Sequence, residues 1–306
     1  MQILKAYSET LKTYFEQILV TKDPVTLYEP ISYIMSLGAK RIRPLMLLHT
    51  HKIFGGDVKS VLPLAAAVEV FHNFTLMHDD IMDNDDLRHG VPTTHKKFDM
   101  PLAILAGDVL YSKAYHTISS KSKLSSNYTT QLITKLSKAC VAICEGQVDD
   151  IKLAENKRIP TESEYIKMIE KKTAVLFEVS CAMGAISAKK STKDVKNLSV
   201  FGRNLGIAFQ ITDDLIGIMG DTKVTGKAVG NDIREGKKSL PILLAIRKAR
   251  GSDKKKILRV FGKSNATRTQ INEVVDIIRS LGIGFDGQRR EQSLRDLLEP
   301  TTSHVG

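Results

Sequence analysis

Residues 61–83 read VLPLAAAVEVFHNFTLMHDDIMD, a run that passes in one direction from apolar and small residues to carboxylates. As a helix it sets Asp79 and Asp83 one turn apart on one face, where two carboxylates converge on a hard cation that prefers oxygen ligands. Counting back from Asp79 at about 100° per residue, His72 and Thr75 fall near its azimuth and Phe71 within about a quarter turn. The stretch reads as a helix lining an apolar cavity with a metal at its mouth. Taken singly, Phe71 and Phe74 also fit ordinary core aromatics. A second acidic segment, QITDDLIGIMGD at 210–221, again opens on paired carboxylates. Together the two segments point to a magnesium-bridged diphosphate.

The same three- and four-residue apolar spacing runs through most of the 306-residue chain, with almost no sustained alternation of period two, and predicts an all-α domain. Helices are expected near 3–20, 24–37, 43–54, 59–83, 100–120, 127–153, 162–188, 194–220, 239–249 and 268–281. Pro44 suits a first helical turn, Asp57 or Ser60 a cap, and Thr161 with Glu164 has capping-box spacing. Periodicity breaks at 88–92 and again at 226–236, after each acidic segment. No fixed-period repeat or low-complexity linker appears, so 1–306 reads as one domain.

Composition narrows the classes. Three cysteines, Cys140, Cys144 and Cys181, form no CxxC pair, which argues against a disulfide framework or a complete zinc site. Cys140 and Cys144 fit buried thiols of a helix. The N-terminus lacks the pattern of a secretory signal, and no apolar run is long enough to cross a bilayer, so a cytoplasmic setting is expected. Net charge +11 suits nucleic acid, an anionic surface or a phosphorylated small substrate. The lysine clusters of the last third lack interleaved aromatics and read as solvated surface, not a nucleic-acid site. Lys40, Arg43, Arg88, Lys172, Lys227 and Lys237 lie instead in Gly-, Pro- or Asp-marked segments.

The chain resembles the short-chain trans-isoprenyl diphosphate synthases, of the archaeal geranylgeranyl or farnesyl type. The resemblance rests on GAKRIRP at 38–44, HDDIMD at 78–83, LRHG at 87–90, GDVL at 107–110, EGQ at 145–147, KT at 172–173, FQITDD at 209–214 and GKAVGNDIREGK at 226–237. One acidic motif alone is weak evidence; eight segments in order are strong.

The resemblance implies a single-domain isoprenoid synthase fold, with antiparallel helices around a central cavity. It also implies head-to-tail condensation of isopentenyl diphosphate with an allylic diphosphate (dimethylallyl, geranyl or farnesyl) by a homodimer using Mg2+. Asp79, Asp83 and Asp213 then correspond to metal ligands, and Asp80 and Asp214 to supporting carboxylates. Arg88, Lys172, Lys227 and Lys237 correspond to the allylic diphosphate site; Lys40, Arg43 and His72 correspond to the metal-free pocket for isopentenyl diphosphate. Thr173 and Gln210 match polar positions beside the reacting carbon. Phe74 matches the position that limits chain length, giving a C20 product with C15 second; on the helical wheel Phe74 points away from Asp79's azimuth and Phe71 closer to it, so Phe71 fits a deeper floor.

Three departures stand out. His89 replaces a second arginine, Gly217 replaces a third aspartate on the second acidic arm, and 282–306 does not continue the expected amphipathic helices. Gln147 and Asp150 read either as a solvated patch or as a layer behind the metal site. A class I terpene cyclase and a non-catalytic subunit of a prenyl synthase are the competing classes. The first would leave Lys40, Arg43 and His72 without a second diphosphate; the second would not need both aspartate pairs intact.

Overall fold

A computed structural model describes residues 2–18, 23–37, 40–156, 158–219 and 230–284. These gather into two compact units: 1–139 with 176–202, and 140–175 with 203–306. The helices are α1 Gln2–Ile18, α2 Val25–Ser36, α3 Ile42–Ile53, α4 Leu62–Met82, α5 Thr94–Lys97, α6 Met100–Lys121, α7 Ser126–Glu155, α8 Glu162–Ile169, α9 Val175–Ser187, α10 Thr192–Met219, α11 Asn231–Glu235, α12 Leu240–Lys248, α13 Gly251–Val260 and α14 Arg268–Ser280. Most lie near the expected ranges, but the short α5 and α11 were not expected, and the single helix expected over 162–188 is α8 and α9 joined by a π-helical turn. Helix α13, in the basic run after Arg250, was not anticipated, because only Ile257, Leu258 and Val260 among its ten residues are apolar.

In the first unit α4 packs chiefly on α6 and then on α3. Small residues make the approach close: Ala65, Ala66, Ala67, Ala103 and Ala106 are fully buried, and a Cβ on Gly107 would run into the His78 ring. By length and composition 58–82 could cross a membrane, but 67% of an apolar 18-residue stretch within it is buried inside the protein. It is a core helix. Gly184 of α9 lies against the Leu47 carbonyl and Thr50 of α3, where a Cβ would come 2.6 Å from the carbonyl oxygen. The break at 88–92 is a two-residue hairpin, pairing Leu87 with Pro92 and Arg88 with Val91. Its corner, His89 (φ 53°) and Gly90 (φ 82°), is left-handed at both positions, as such tight hairpins require.

The second unit has two apolar clusters. Ile218, Ile233, Ile242, Ile257, Val274 and Ile278 anchor one, and Tyr165, Ile169, Ile207 and Leu243 anchor the other. Helix α8 starts with the anticipated capping box between Thr161 and Glu164 and ends in a π-helical turn, Glu170–Ala174. That wide turn carries Lys172 and Thr173. Gly146 lets α7 lie directly on its backbone, since a Cβ there would strike the Lys172 amide nitrogen. The expected burial of Cys140 and Cys144 is corrected: Cys140 is half-buried and Cys144 exposed. They share a face of α7 with Val141 and Val148, and α7 turns that face outward.

Candidate active site

Helix α4 ends at the first acidic segment and sorts its three aspartates by depth. Asp83 is exposed at the C-cap, Asp79 is half-buried and Asp80 is buried. Asp80 receives a forked contact from Arg88, with Nε 2.9 Å from both carboxylate oxygens and Nη2 2.6 Å from Oδ1. Burial works against the Arg88 charge, but Asp80, Asp79 and Asp85 outweigh it and raise its pKa. Asp80 thus orients a cation, while Asp79 and Asp83 remain nearer the surface of the helix end.

Two turns back, Arg43 Nη1 of α3 donates to His72 Nε2 across 2.9 Å. A guanidinium has no acceptor, so His72 Nε2 is unprotonated and the ring proton sits on Nδ1. Burial, then the charges of Arg43 and Arg88, hold the His72 pKa well below the ordinary histidine value. The Arg43 guanidinium also lies 4.5 Å over the Phe177 ring. The site therefore pairs a fixed cation with a neutral imidazole. Lys40 is exposed at the head of the same segment. Glu69, one turn before His72, is buried, and burial pushes its carboxyl up to about 7 against the pull of Arg43 and Arg41.

Phe71 and Phe74 belong to one aromatic cluster. Their centroids are 5.5 Å apart, Phe74 stands 5.3 Å from Tyr111, and Phe71 stands 6.4 Å from Tyr115 of α6. Phe71 is fully buried and Phe74 is partly exposed, stacked edge-on to His78 at 4.8 Å. The two tyrosines escape a reading of α4 alone, since no spacing within one helix reports the face packed against it.

In the second unit a hydrogen-bonded chain joins residues far apart in sequence. Thr173 Oγ1 donates to Gln210 Oε1 at 2.9 Å, and Gln210 Nε2 donates to Asp214 Oδ1 at 3.1 Å. Tyr165 donates to the other Asp214 oxygen, and Lys237 Nζ lies 3.7 Å from Asp214 and 3.8 Å from Asp232. Desolvation raises the Asp214 pKa, with Lys237, Tyr165 and Gln210 opposing. Burial disfavours the Lys237 charge, but Asp232, Asp214 and Asp150 outweigh it and raise its pKa. Lys172 is bonded to Asp150 at 2.6 Å, so Asp150 faces a candidate site lysine. Asp213 is exposed beside buried Asp214. Tyr165 and Asp232 were missed. Asp232 lies within a quoted motif, whereas nothing around Tyr165 marks it.

Gly217 has a local explanation: a Cβ there would come 2.5 Å from Asp232 Oδ2 and 2.9 Å from its Cγ. A carboxylate from the next segment already occupies that space. Lys227 and Asp221 lie outside the described residues.

Among the described residues no group of three or more His, Cys, Asp or Glu is gathered as a ready metal cage. The donors at Asp79 and Asp83 nevertheless fit magnesium, which keeps several waters and commonly takes one or two carboxylates together with substrate phosphates.

Residues 24–278 match the polyprenyl synthetase family. Over 278 residues the chain is 42% identical to a short chain isoprenyl diphosphate synthase of Methanocaldococcus jannaschii, covering 90% of this chain and 82% of that one. It superposes on the geranylgeranyl pyrophosphate synthetase of Pyrococcus horikoshii with TM-score 0.88 at 34% identity, covering 97% of this chain and 90% of that one. It also superposes on a Corynebacterium glutamicum geranylgeranyl pyrophosphate synthase complexed with isoprenyl diphosphate and magnesium, with TM-score 0.80, 27% identity, and 97% and 90% coverage.

Proposed function

We propose, for a chain that belongs to the polyprenyl synthetase family and so is a short-chain trans-prenyltransferase of all-α isoprenoid synthase fold, that its product is the C20 diphosphate and its metal magnesium. The Pyrococcus relative's name supports the chain length, and the metal in the Corynebacterium structure supports the ion. The family match runs through both units and supports reading 1–306 as one catalytic domain, with 282–306 an atypical end. Helix α6 exposes Ile104 and Leu105, which supports a homodimer. The compartment we propose is the cytoplasm.

Asp79, Asp83 and Asp213 would hold magnesium, which when bound supplies charge neutralisation for a departing diphosphate. Arg88, Lys172, Lys227 and Lys237 bind the allylic diphosphate, the arginine by its fork and the lysines as compact charges. Asp80 and Asp214 keep two of these cations aimed, Arg88 and Lys237. Lys40, Arg43 and His72 bind isopentenyl diphosphate without metal, leaving its double bond as the nucleophile. Thr173 commits its proton to Gln210, so its oxygen presents lone pairs that stabilise positive charge at the allylic carbon without capturing it. The released diphosphate takes the final proton, so no protein base is required.

The observation that carries the reading is the bonded pair of Arg43 with neutral His72. It is a second anion site apart from the aspartate helix end, and a cyclase has no second diphosphate to place there. Purified protein incubated with magnesium, isopentenyl diphosphate and allylic primers of several lengths is expected to give a linear C20 diphosphate. A cyclised hydrocarbon would favour a terpene cyclase, and absence of turnover a non-catalytic subunit.

A further inference from the structure

Two adjacent lysines that look equivalent in sequence point to opposite jobs. The chain turns through Gly236 (φ 74°), with the Lys237 amide donating to the Asp232 carbonyl at 2.9 Å and Ser239 donating to the Lys237 carbonyl at 2.9 Å. Lys237 reaches Asp214 and Asp232. Lys238 reaches the end of α7, where its ammonium donates to the Leu153 carbonyl at 2.5 Å, to the Ala154 carbonyl at 3.2 Å and to the Asn156 carbonyl.

A helix leaves its last carbonyls without intrahelical partners and its C-terminus partly negative. An ammonium has three protons, and here three carbonyls at one helix end receive them. The contact is local in space but spans more than 80 residues of sequence. It ties the turn bearing Lys237 to the last turns of α7, the helix whose Asp150 is bonded to Lys172. Burial and the charge of Arg158 lower the Lys238 pKa, so the carbonyls hold a cation that its wider surroundings do not favour.

We propose that Lys238 is a positioning residue for allylic diphosphate binding: by capping α7 it fixes the turn that aims Lys237. The proposal rests on the reading of Lys237 as an allylic diphosphate ligand. Lys238 itself touches no substrate in this scheme. Without its ammonium the turn loses its tether, and the Lys237 side chain, half-exposed at 52%, has more room to miss its target.

The test is steady-state kinetics on the full-length enzyme. Lys238→Met keeps the apolar stem and removes the donors. It is expected to raise the KM for the allylic substrate about tenfold while leaving the KM for isopentenyl diphosphate within about twofold. Lys238→Arg, which can still cap carbonyls, restores most of the difference. In a Lys237→Ala background Lys238→Met adds little, because its effect passes through Lys237. A normal allylic KM in Lys238→Met, while Lys237→Ala raises it, overturns the proposal alone. So does a parallel rise in both KM values with a lowered melting temperature, which marks a purely structural role. Full additivity of the two substitutions overturns it as well. A normal allylic KM in Lys237→Ala overturns the reading of Lys237, and this proposal with it.

Discussion

Gly217→Asp restores the third aspartate of the second acidic arm, and on sequence grounds it should strengthen that arm. The structure predicts the reverse. The new Cβ would come 2.5 Å from Asp232 Oδ2, and Asp232 is buried with Lys237 beside it, so it has little room to yield. Overpacking of this kind costs about 1–3 kcal/mol. The added carboxylate also faces a like charge at close range, worth on the order of 1–4 kcal/mol at the effective dielectric of a partly buried site. The sum is roughly 2–7 kcal/mol, and at about 2–4 °C per kcal/mol for a chain of this size the melting temperature should fall by at least about 4 °C. Gly217→Ala should show the steric part alone, roughly 1–3 kcal/mol. Thermal unfolding followed by circular dichroism at neutral pH measures both, and Asp232→Gly in the Gly217→Asp background should recover most of the loss. A Gly217→Asp protein that melts with the parent and turns over faster would refute the claim that Asp232 occupies this space.

The remaining predictions concern single positions. Phe74→Ala should lengthen the product by opening the aromatic cluster with Tyr111, and an unchanged chain-length distribution by chromatography would reject Phe74 as the limit. His89→Arg should lower the KM for isopentenyl diphosphate at neutral pH, because it restores the permanent charge and forked donors of the second arginine that His89 replaces; an unchanged KM counts against it. Glu69 has its folded pKa raised from 4.5 to about 7, so protonation favours the folded state. Its contribution is fully present below about pH 4.5 and is lost as pH rises through about 7, a swing on the order of 3 kcal/mol. Glu69→Gln should therefore flatten the melting temperature between pH 5 and pH 8 and raise it at pH 8. Parallel pH profiles for the two proteins would contradict that origin.

The features legible in sequence are those carried by local spacing. The 3.6-residue period gave α4 with both aspartates at its end, Thr161 and Glu164 declared a capping box, and the loss of periodicity marked the break at 88–92, though not the hairpin that fills it. What was not legible depends on partners brought from elsewhere in the chain. Asp232 against Gly217, Tyr165 on Asp214 and Tyr111 beside Phe74 are tertiary contacts between separate elements. No period within one element encodes them. Helix α13 was hidden by its lysines, because three apolar residues, Ile257, Leu258 and Val260, are too few to set a stripe against a charged run. The exposed side of α7 was misread at Cys144 for a related reason: the helix has apolar residues on more than one face, and packing alone decides which face is covered.

The division of the site between two diphosphates is tested most directly by Arg43→Gln, assayed for both substrates over a range of magnesium concentrations. Losing the guanidinium that His72 holds at 2.9 Å should raise the KM for isopentenyl diphosphate by about a hundredfold, the scale of a charge-assisted contact. The KM for the allylic substrate and the magnesium dependence should stay at their parental values. A rise confined to the allylic KM, or an equal rise in both, would contradict the account.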